Sequence, residues 1–152
     1  MNHSINTSRI PIGVVGLGLM VCSISTCLLM AGHPVVALAP IPADVQYALP
    51  RIQEHLHKSQ QEGLVQNDAP YYLNKLTITE IYSELAHCQP VIECTLENLD
   101  IKQSVYQKTE SVISADALLV GNTSAIPISV LPVAQCISTG CPAKKRIPHA
   151  MP

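Results

Sequence analysis

Three short segments carry residue types that can do chemistry together. The first is Gly16-Leu17-Gly18-Leu19-Met20, set between the apolar run Ile10 to Val15 and the apolar stretch Leu19 to Ala31. In a strand-turn-helix unit, the first glycine permits the tight turn and the second lets backbone approach a pyrophosphate. The helix N-terminus then offers unpaired N–H groups to the anion. A third glycine usually follows to allow close helix-strand packing. Val21 stands there, so the helix must move outward or the strand must adjust. The same glycines also suit an ordinary strand-helix turn. The other two segments are Glu93-Cys94-Thr95-Leu96-Glu97-Asn98-Leu99-Asp100-Ile101-Lys102 and Gly121-Asn122-Thr123-Ser124. Each ends or follows an apolar run. In an open parallel sheet the strand C-terminal ends face the ligand crevice, where polar groups can meet a ribose and an oxygen-bearing substrate. Glu97 and Lys102 equally suit a solvated helix start, and Asn122-Thr123-Ser124 a strand-ending turn with a capping serine. The carboxylate that grips an adenosine ribose should end the second strand. Ala39-Pro40 occupies that place, and no carboxylate comes before Asp44.

The elements that must position these residues follow from periodicity. Ile10–Val15 reads as a short strand buried on both faces, Val35–Ala39 and Val91–Thr95 as buried strands, Ala117–Val120 as an apolar strand and Leu76–Ile78 as a short strand candidate. Between them, Leu19–Ala31, Ala43–Glu62, Glu80–Ala86 and Asp100–Ile113 read as helices. Gly32 caps the first, and Asn98 or Leu99 stands near the start of the last. Val45, Leu49, Ile52 and Leu56 place the apolar stripe of the second helix, and Pro50 predicts a bend or break in it. Ile101, Val105 and Val112 mark the apolar side of the last. Ser124 to Leu131 opens one more helix, with Pro127 in its first turn. The alternation implies a doubly wound parallel sheet with right-handed crossovers. Residues 1–9 read as a flexible lead-in, 10–131 as one domain, and 132–152 as an irregular tail.

Composition narrows the function classes. Apolar residues make up 47% of the chain and charged residues 13%, which excludes a disordered chain. A net charge of -2, with Lys144-Lys145-Arg146 as the only basic cluster, gives no nucleic-acid footprint. The six cysteines form no C-x-x-C pair, so no metal site is expected, and buried free thiols in a reducing compartment are the reading. Ile10 to Ala43 holds no Asp, Glu, Lys or Arg, as a membrane span or signal peptide would. Gly13, Gly16, Gly18, Gly32 and Pro34 cut it into strand- and helix-sized pieces, so no membrane segment is expected and a cytoplasmic location is.

The segments Val14-Val15-Gly16-Leu17-Gly18-Leu19-Met20, Ala31-Gly32-His33, Val91-Ile92-Glu93 with Glu97 and Lys102, and Asn122-Thr123-Ser124-Ala125-Ile126 share order and separation with a known family. Over about residues 10 to 131 the chain resembles the N-terminal domain of L-3-hydroxyacyl-CoA and 3-hydroxybutyryl-CoA dehydrogenases. The resemblance implies a Rossmann-type fold, NAD as cofactor and an acyl-CoA substrate whose 3-hydroxyl is oxidised, as in fatty-acid metabolism. It implies that Gly16, Gly18, Leu19 and Met20 hold the pyrophosphate, and that Glu97, Lys102 and Asn122 line the nicotinamide end. Ser124 would hydrogen-bond the substrate hydroxyl as the catalytic residue present. The family's general base is a histidine some twenty residues further on, oriented by a glutamate. Here His149 follows Ser124 by 25 residues, and no glutamate follows Glu110. The family's C-terminal domain, which binds acyl-CoA and forms the dimer, has no counterpart, as in a truncated or frame-shifted product. Two functions are therefore expected of this chain: an NAD-binding dehydrogenase domain with weak or no turnover, or a non-catalytic module binding NAD or a protein.

Overall fold

The computed structural model describes residues 10–127, 130–131 and 136–138. Strands and helices alternate along the chain. The strands are β1 (Ile12–Val15), β2 (Val35–Leu38), β3 (Leu76–Thr79), β4 (Val91–Glu93), β5 (Leu119–Gly121) and β6 (Cys136–Ser138). The helices are α1 (Leu19–Met30), α2 (Val45–Gln61), α3 (Ala69–Leu73) and α4 (Leu99–Glu110), with 3₁₀ turns at Pro42–Asp44 and Tyr82–His87. The strands form one sheet in the order β3-β2-β1-β4-β5-β6, with each neighbouring pair parallel. This is the strand order of the Rossmann fold. The direction of winding reverses between β1 and β4, which opens a crevice at their C-terminal ends.

Burial explains why the strands read as unbroken apolar runs. On β1, Val14 joins the core under α1 and α2, with Val21, Leu29, Ile52 and Leu56. Its neighbour Val15 joins the opposite core, with Leu85, Val105, Tyr106 and Leu119. Ala37 and Leu38 split in the same way on β2. Both faces of the sheet are thus covered, as crossovers through helices require.

Helix α1 ends as the sequence predicts. Gly32 takes φ 95, and the amides of Gly32 and His33 return to the carbonyls of Leu29 and Leu28 at 2.9 and 3.0 Å. This closes the helix and turns the chain into β2. Val21, in place of the third glycine, is fully buried in the α1–α2 core and lies against Gly16. Val21→Ala removes two buried methyl groups at ~0.8 kcal/mol each and leaves a cavity, so it should destabilise the fold by about 2 kcal/mol. Denaturant titration measures this; an unchanged midpoint would mean that the side chain is not packed.

Four expectations are corrected. Helix α2 runs unbroken through Pro50. Pro50 and Gln46, whose carbonyl loses its partner, are both exposed, so water can replace the missing N–H while Ala48, Ile52 and Leu56 anchor the buried face. That face includes Ala48 rather than Leu49, which is exposed. Residues 124–126 form bends rather than a first α-helical turn, with the amide of Ile126 taken by the Thr123 hydroxyl, and a 3₁₀ turn comes only at Val130, whose amide donates to Pro127 O at 3.1 Å. The irregular tail expected from 132 is interrupted by β6, because β5 offers it a free parallel edge: Leu119, Val120 and Gly121 pair with Cys136, Ile137 and Ser138. His149 and the remaining tail lie outside the described residues.

Candidate functional site

Strand β1 delivers Gly16 to the crevice. Its amide donates to Leu38 O at 2.9 Å, so it still holds to β2, while φ 107 turns the chain sharply away. A β-carbon there would sit 3.0 Å from the Cys94 carbonyl oxygen, so the ends of β1 and β4 touch at this point and only glycine fits. Gly18 differs. Its backbone is extended, and a β-carbon there would meet nothing within 4 Å. It forms the N-cap of α1 without a side-chain cap, and no acidic residue stands in the first turn. The first intrahelical bond after it runs from the Cys22 amide to Gly18 O at 3.1 Å. The amides of residues 19–21 therefore precede the helical ladder and face outward as donors, with the positive end of the helix dipole behind them. Leu19 and Met20 are 70% and 60% exposed beside them.

These glycines form one wall of a cleft of about 90 Å³. It is lined by Gly16, Leu17, Gly18, Pro40, Ile41, Asp44, Cys94, Thr95, Leu96 and Ile101. Pockets that enclose a drug-sized ligand run to roughly 300–1,000 Å³. A dinucleotide would therefore lie along this cleft and protrude from it. Asp44 is the carboxylate in the lining, half-buried at the start of α2, where it makes no capping bond. Ala39, at the end of β2, is buried.

The opposite wall is fastened by an ion pair. Glu93 ends β4 and Lys102 lies in the first turns of α4, and both side chains are 0% exposed. The Lys102 ammonium donates to both Glu93 carboxylate oxygens at 3.0 and 2.9 Å and to the Thr95 carbonyl at 3.3 Å. Glu93 Oε1 also accepts from the Thr95 amide at 2.6 Å and from the Thr95 hydroxyl. The network folds residues 93–95 into a fixed turn, and Cys94 and Thr95 line the cleft from it. Lys102 thus differs from its expected place: it is enclosed, and it acts on the cleft through Glu93 and Thr95. Burial pushes the Cys94 thiol above its usual range despite a hydrogen bond with Asn122, so the thiol is protonated at neutral pH.

Glu97 and the residues after β5 meet. The Asn122 amide donates to Glu93 O at 2.8 Å, which keeps β5 against β4 to its last residue. Beyond it, Glu97 Oε2 accepts from the Thr123 hydroxyl at 2.8 Å and Oε1 from the Ser124 amide at 3.0 Å. Desolvation alone would raise the Glu97 carboxyl, but these bonds and the nearby Lys102 charge outweigh it and hold it below the usual carboxylate range. A carboxylate with a lowered pKa supports the folded loop above its unfolded pKa and releases it as pH falls through the folded one. The Ser124 amide resonance should therefore titrate with a midpoint below that of an unperturbed glutamate. Glu97→Gln should abolish the transition; a midpoint above that value would show that the clip does not form in solution.

The structure brings Gly16, Gly18, Glu97, Asn122 and Ser124 to one edge of the sheet, with Leu19 and Met20 flanking it. Residue-by-residue reading named Glu93 and Asp44 but gave neither a role in the site. The signal for Glu93 was a carboxylate closing an apolar strand, which burial obliges to find a cation. Among the described residues no group of His, Cys, Asp or Glu could hold a metal ion, and no helix is long and apolar enough to cross a membrane.

Comparison with known proteins agrees with this geometry. Residues 11–137 match the family model described as the 3-hydroxyacyl-CoA dehydrogenase NAD binding domain. A 3-hydroxybutyryl-CoA dehydrogenase of Mycobacterium tuberculosis is 32% identical over 119 residues, which cover 77% of this chain and 42% of that protein. A putative fatty acid oxidation complex trifunctional enzyme of Rickettsia felis is 31% identical over 124 residues, 78% of this chain and 17% of that one. The crystal structure of M. tuberculosis FadB2 superposes with a TM-score of 0.76 at 28% identity, covering 84% of this chain and 47% of that one. The chain spans less than half the length of these relatives.

Proposed function

The chain belongs to the NAD-binding domain family of the 3-hydroxyacyl-CoA dehydrogenases, and from that premise we propose that it binds NAD in the cleft between Gly16–Gly18 and Cys94–Leu96. The carrying observation is the pairing of a sterically open Gly18 with an α1 N-terminus that no side chain caps. Amides at 19–21 receive the pyrophosphate oxygens, and Leu19 and Met20 shield its outer side. At the other end, Asn122 and Ser124 stand by the nicotinamide ribose, Glu97 fixes their loop, and Lys102 secures the wall through Glu93. NAD bound there supplies a hydride acceptor.

By the same reasoning the ancestral substrate is a 3-hydroxyacyl-CoA, with Ser124 donating to or accepting from its hydroxyl. Fast oxidation also needs a base held within hydrogen-bond reach of that hydroxyl, with its own orienting carboxylate. These 152 residues contain no glutamate after Glu110 and one histidine, His149, after Ser124. We therefore assign the chain NAD binding with weak or no turnover. A cytoplasmic setting fits, since buried thiols such as Cys22 and Cys88, the latter pushed up to about 11 by burial, are stable there as free cysteines.

The test is titration of the purified chain with NADH, followed by calorimetry, alongside an absorbance assay with 3-hydroxybutyryl-CoA and NAD. Saturable one-site binding without NADH production is expected. No binding would remove the cofactor assignment, and steady NADH production would overturn the assignment of negligible turnover.

A further inference from the structure

We propose that Asp44 is the residue that holds the adenosine ribose hydroxyls and makes this chain select NAD over NADP. The assignment rests on the NAD-binding function proposed above and adds to it a specificity determinant at a position outside the usual one. Dinucleotide folds ordinarily place a carboxylate at the end of the second strand, where it accepts from the ribose 2′-hydroxyl. Here β2 ends at Leu38 and is followed by Ala39, which is buried and has no polar side chain. The chain then makes the 3₁₀ turn Pro42–Asp44, and this turn returns a carboxylate to the same cleft that Gly16 and Gly18 line.

Three observations support the assignment. Asp44 occupies the N-cap position of α2, where an aspartate commonly accepts from amides two or three residues on, yet it makes no such bond. Its acceptor oxygens are therefore not spent on its own helix. It is half-buried among Pro40, Ile41 and Ile101, apolar walls suited to a base and a sugar ring. Its charge also reaches Cys22 in α1: burial raises that thiol most, Arg51 opposes, and Asp44 adds to the rise. Asp44 is thus close to the helix whose N-terminus receives the pyrophosphate, and the adenosine ribose is the next group along the cofactor.

A 2′-phosphate at this place would set a dianion against a carboxylate. The cation that could offset it is Arg51, two turns along α2. Arg51 does not line the cleft, and its guanidinium lies over the Tyr47 ring at 5.6 Å. The site is therefore built for a free hydroxyl.

ADP-ribose and 2′-phospho-ADP-ribose isolate this end of the cofactor and serve as probes in calorimetric titration of the whole chain. Wild type should bind ADP-ribose at least about tenfold more tightly than its 2′-phosphate. Asp44→Asn keeps the shape, removes the charge and should cut ADP-ribose affinity about tenfold, bringing the two ligands to within about threefold of each other. Circular dichroism and a thermal melt confirm that the variant is folded. ADP-ribose binding that is unchanged in Asp44→Asn, or a wild-type preference for the 2′-phosphate, overturns the Asp44 assignment and leaves NAD binding in place. Failure of wild type to bind either probe or NADH overturns both.

Discussion

Lys102→Met should lower the free energy of unfolding by about 3–5 kcal/mol, the cost of leaving a buried charge without its partner. A domain of this size has about 5–15 kcal/mol in total, so the variant should be partly unfolded at mild urea concentrations. The reason lies in the accounting around Glu93. Its carboxylate is fully enclosed, and Lys102 contributes a donor to each of its oxygens. Methionine matches the length of the lysine stem but supplies no donor. Glu93 must then keep a charge inside the protein against Thr95 alone, or take up a proton. Removing both charges in Glu93→Gln with Lys102→Met should recover about half of the loss, because the amide oxygen can still accept from Thr95. Urea denaturation of the two variants decides the matter. If Lys102→Met unfolds within 1 kcal/mol of wild type, the pair is solvated and does not brace the cleft wall. Exposed pairs supply the contrast. Glu54 and Lys58, one turn apart on the surface of α2, are 2.9 Å apart and well solvated, and their disruption should be barely detectable.

What could be read in the sequence followed from local rules. Runs such as Ile12–Val15 and Val35–Leu38, apolar at every position, imply coverage on both faces, and the structure divides each run between two cores. Gly16 announced a sharp turn, and its φ of 107 is one that other residues rarely adopt. The misses arose where partners are distant in sequence. Nothing near Cys136–Ser138 marks a strand; β6 exists because β5 has an open edge to pair with. Leu49 matches a helical stripe as well as Ala48 does, and only the approach of α1 to α2 decides which one is buried. Helix α3 was not read from the sequence: Asp68 precedes Ala69-Pro70 and its side chain caps the Tyr71 amide at 3.3 Å, but five residues are too few to show a period. At the site, Glu93 and Lys102 are nine positions apart, a separation that no helix or strand periodicity links. Their meeting depends on the turn at 94–98 and on Asn98 capping α4 through the Ile101 amide at 3.1 Å. Asp44 was visible as the first carboxylate after β2, but its place in the cleft depends on a 3₁₀ turn.

Gly18→Val should reduce NADH affinity by roughly a hundredfold or more while leaving the fold intact, and Gly16→Ala should not separate the two effects. At Gly18 the backbone is already in a conformation that valine prefers, and an added β-carbon meets nothing within 4 Å. The fold should lose no more than ~1 kcal/mol, the difference between glycine and a poor N-cap residue. The empty space that makes the change harmless to the protein is the space the pyrophosphate needs. Two methyl groups above the first turn of α1 would keep a phosphate beyond hydrogen-bond reach of the amides at 19–21. At Gly16, by contrast, φ 107 and a Cys94 oxygen 3.0 Å from the added β-carbon force the backbone to move, so stability and binding should fall together. Paired thermal melts and NADH titrations of both variants test the argument at its root. An NADH affinity that survives Gly18→Val would mean that the diphosphate does not approach α1 along its axis, and the cleft would need another ligand.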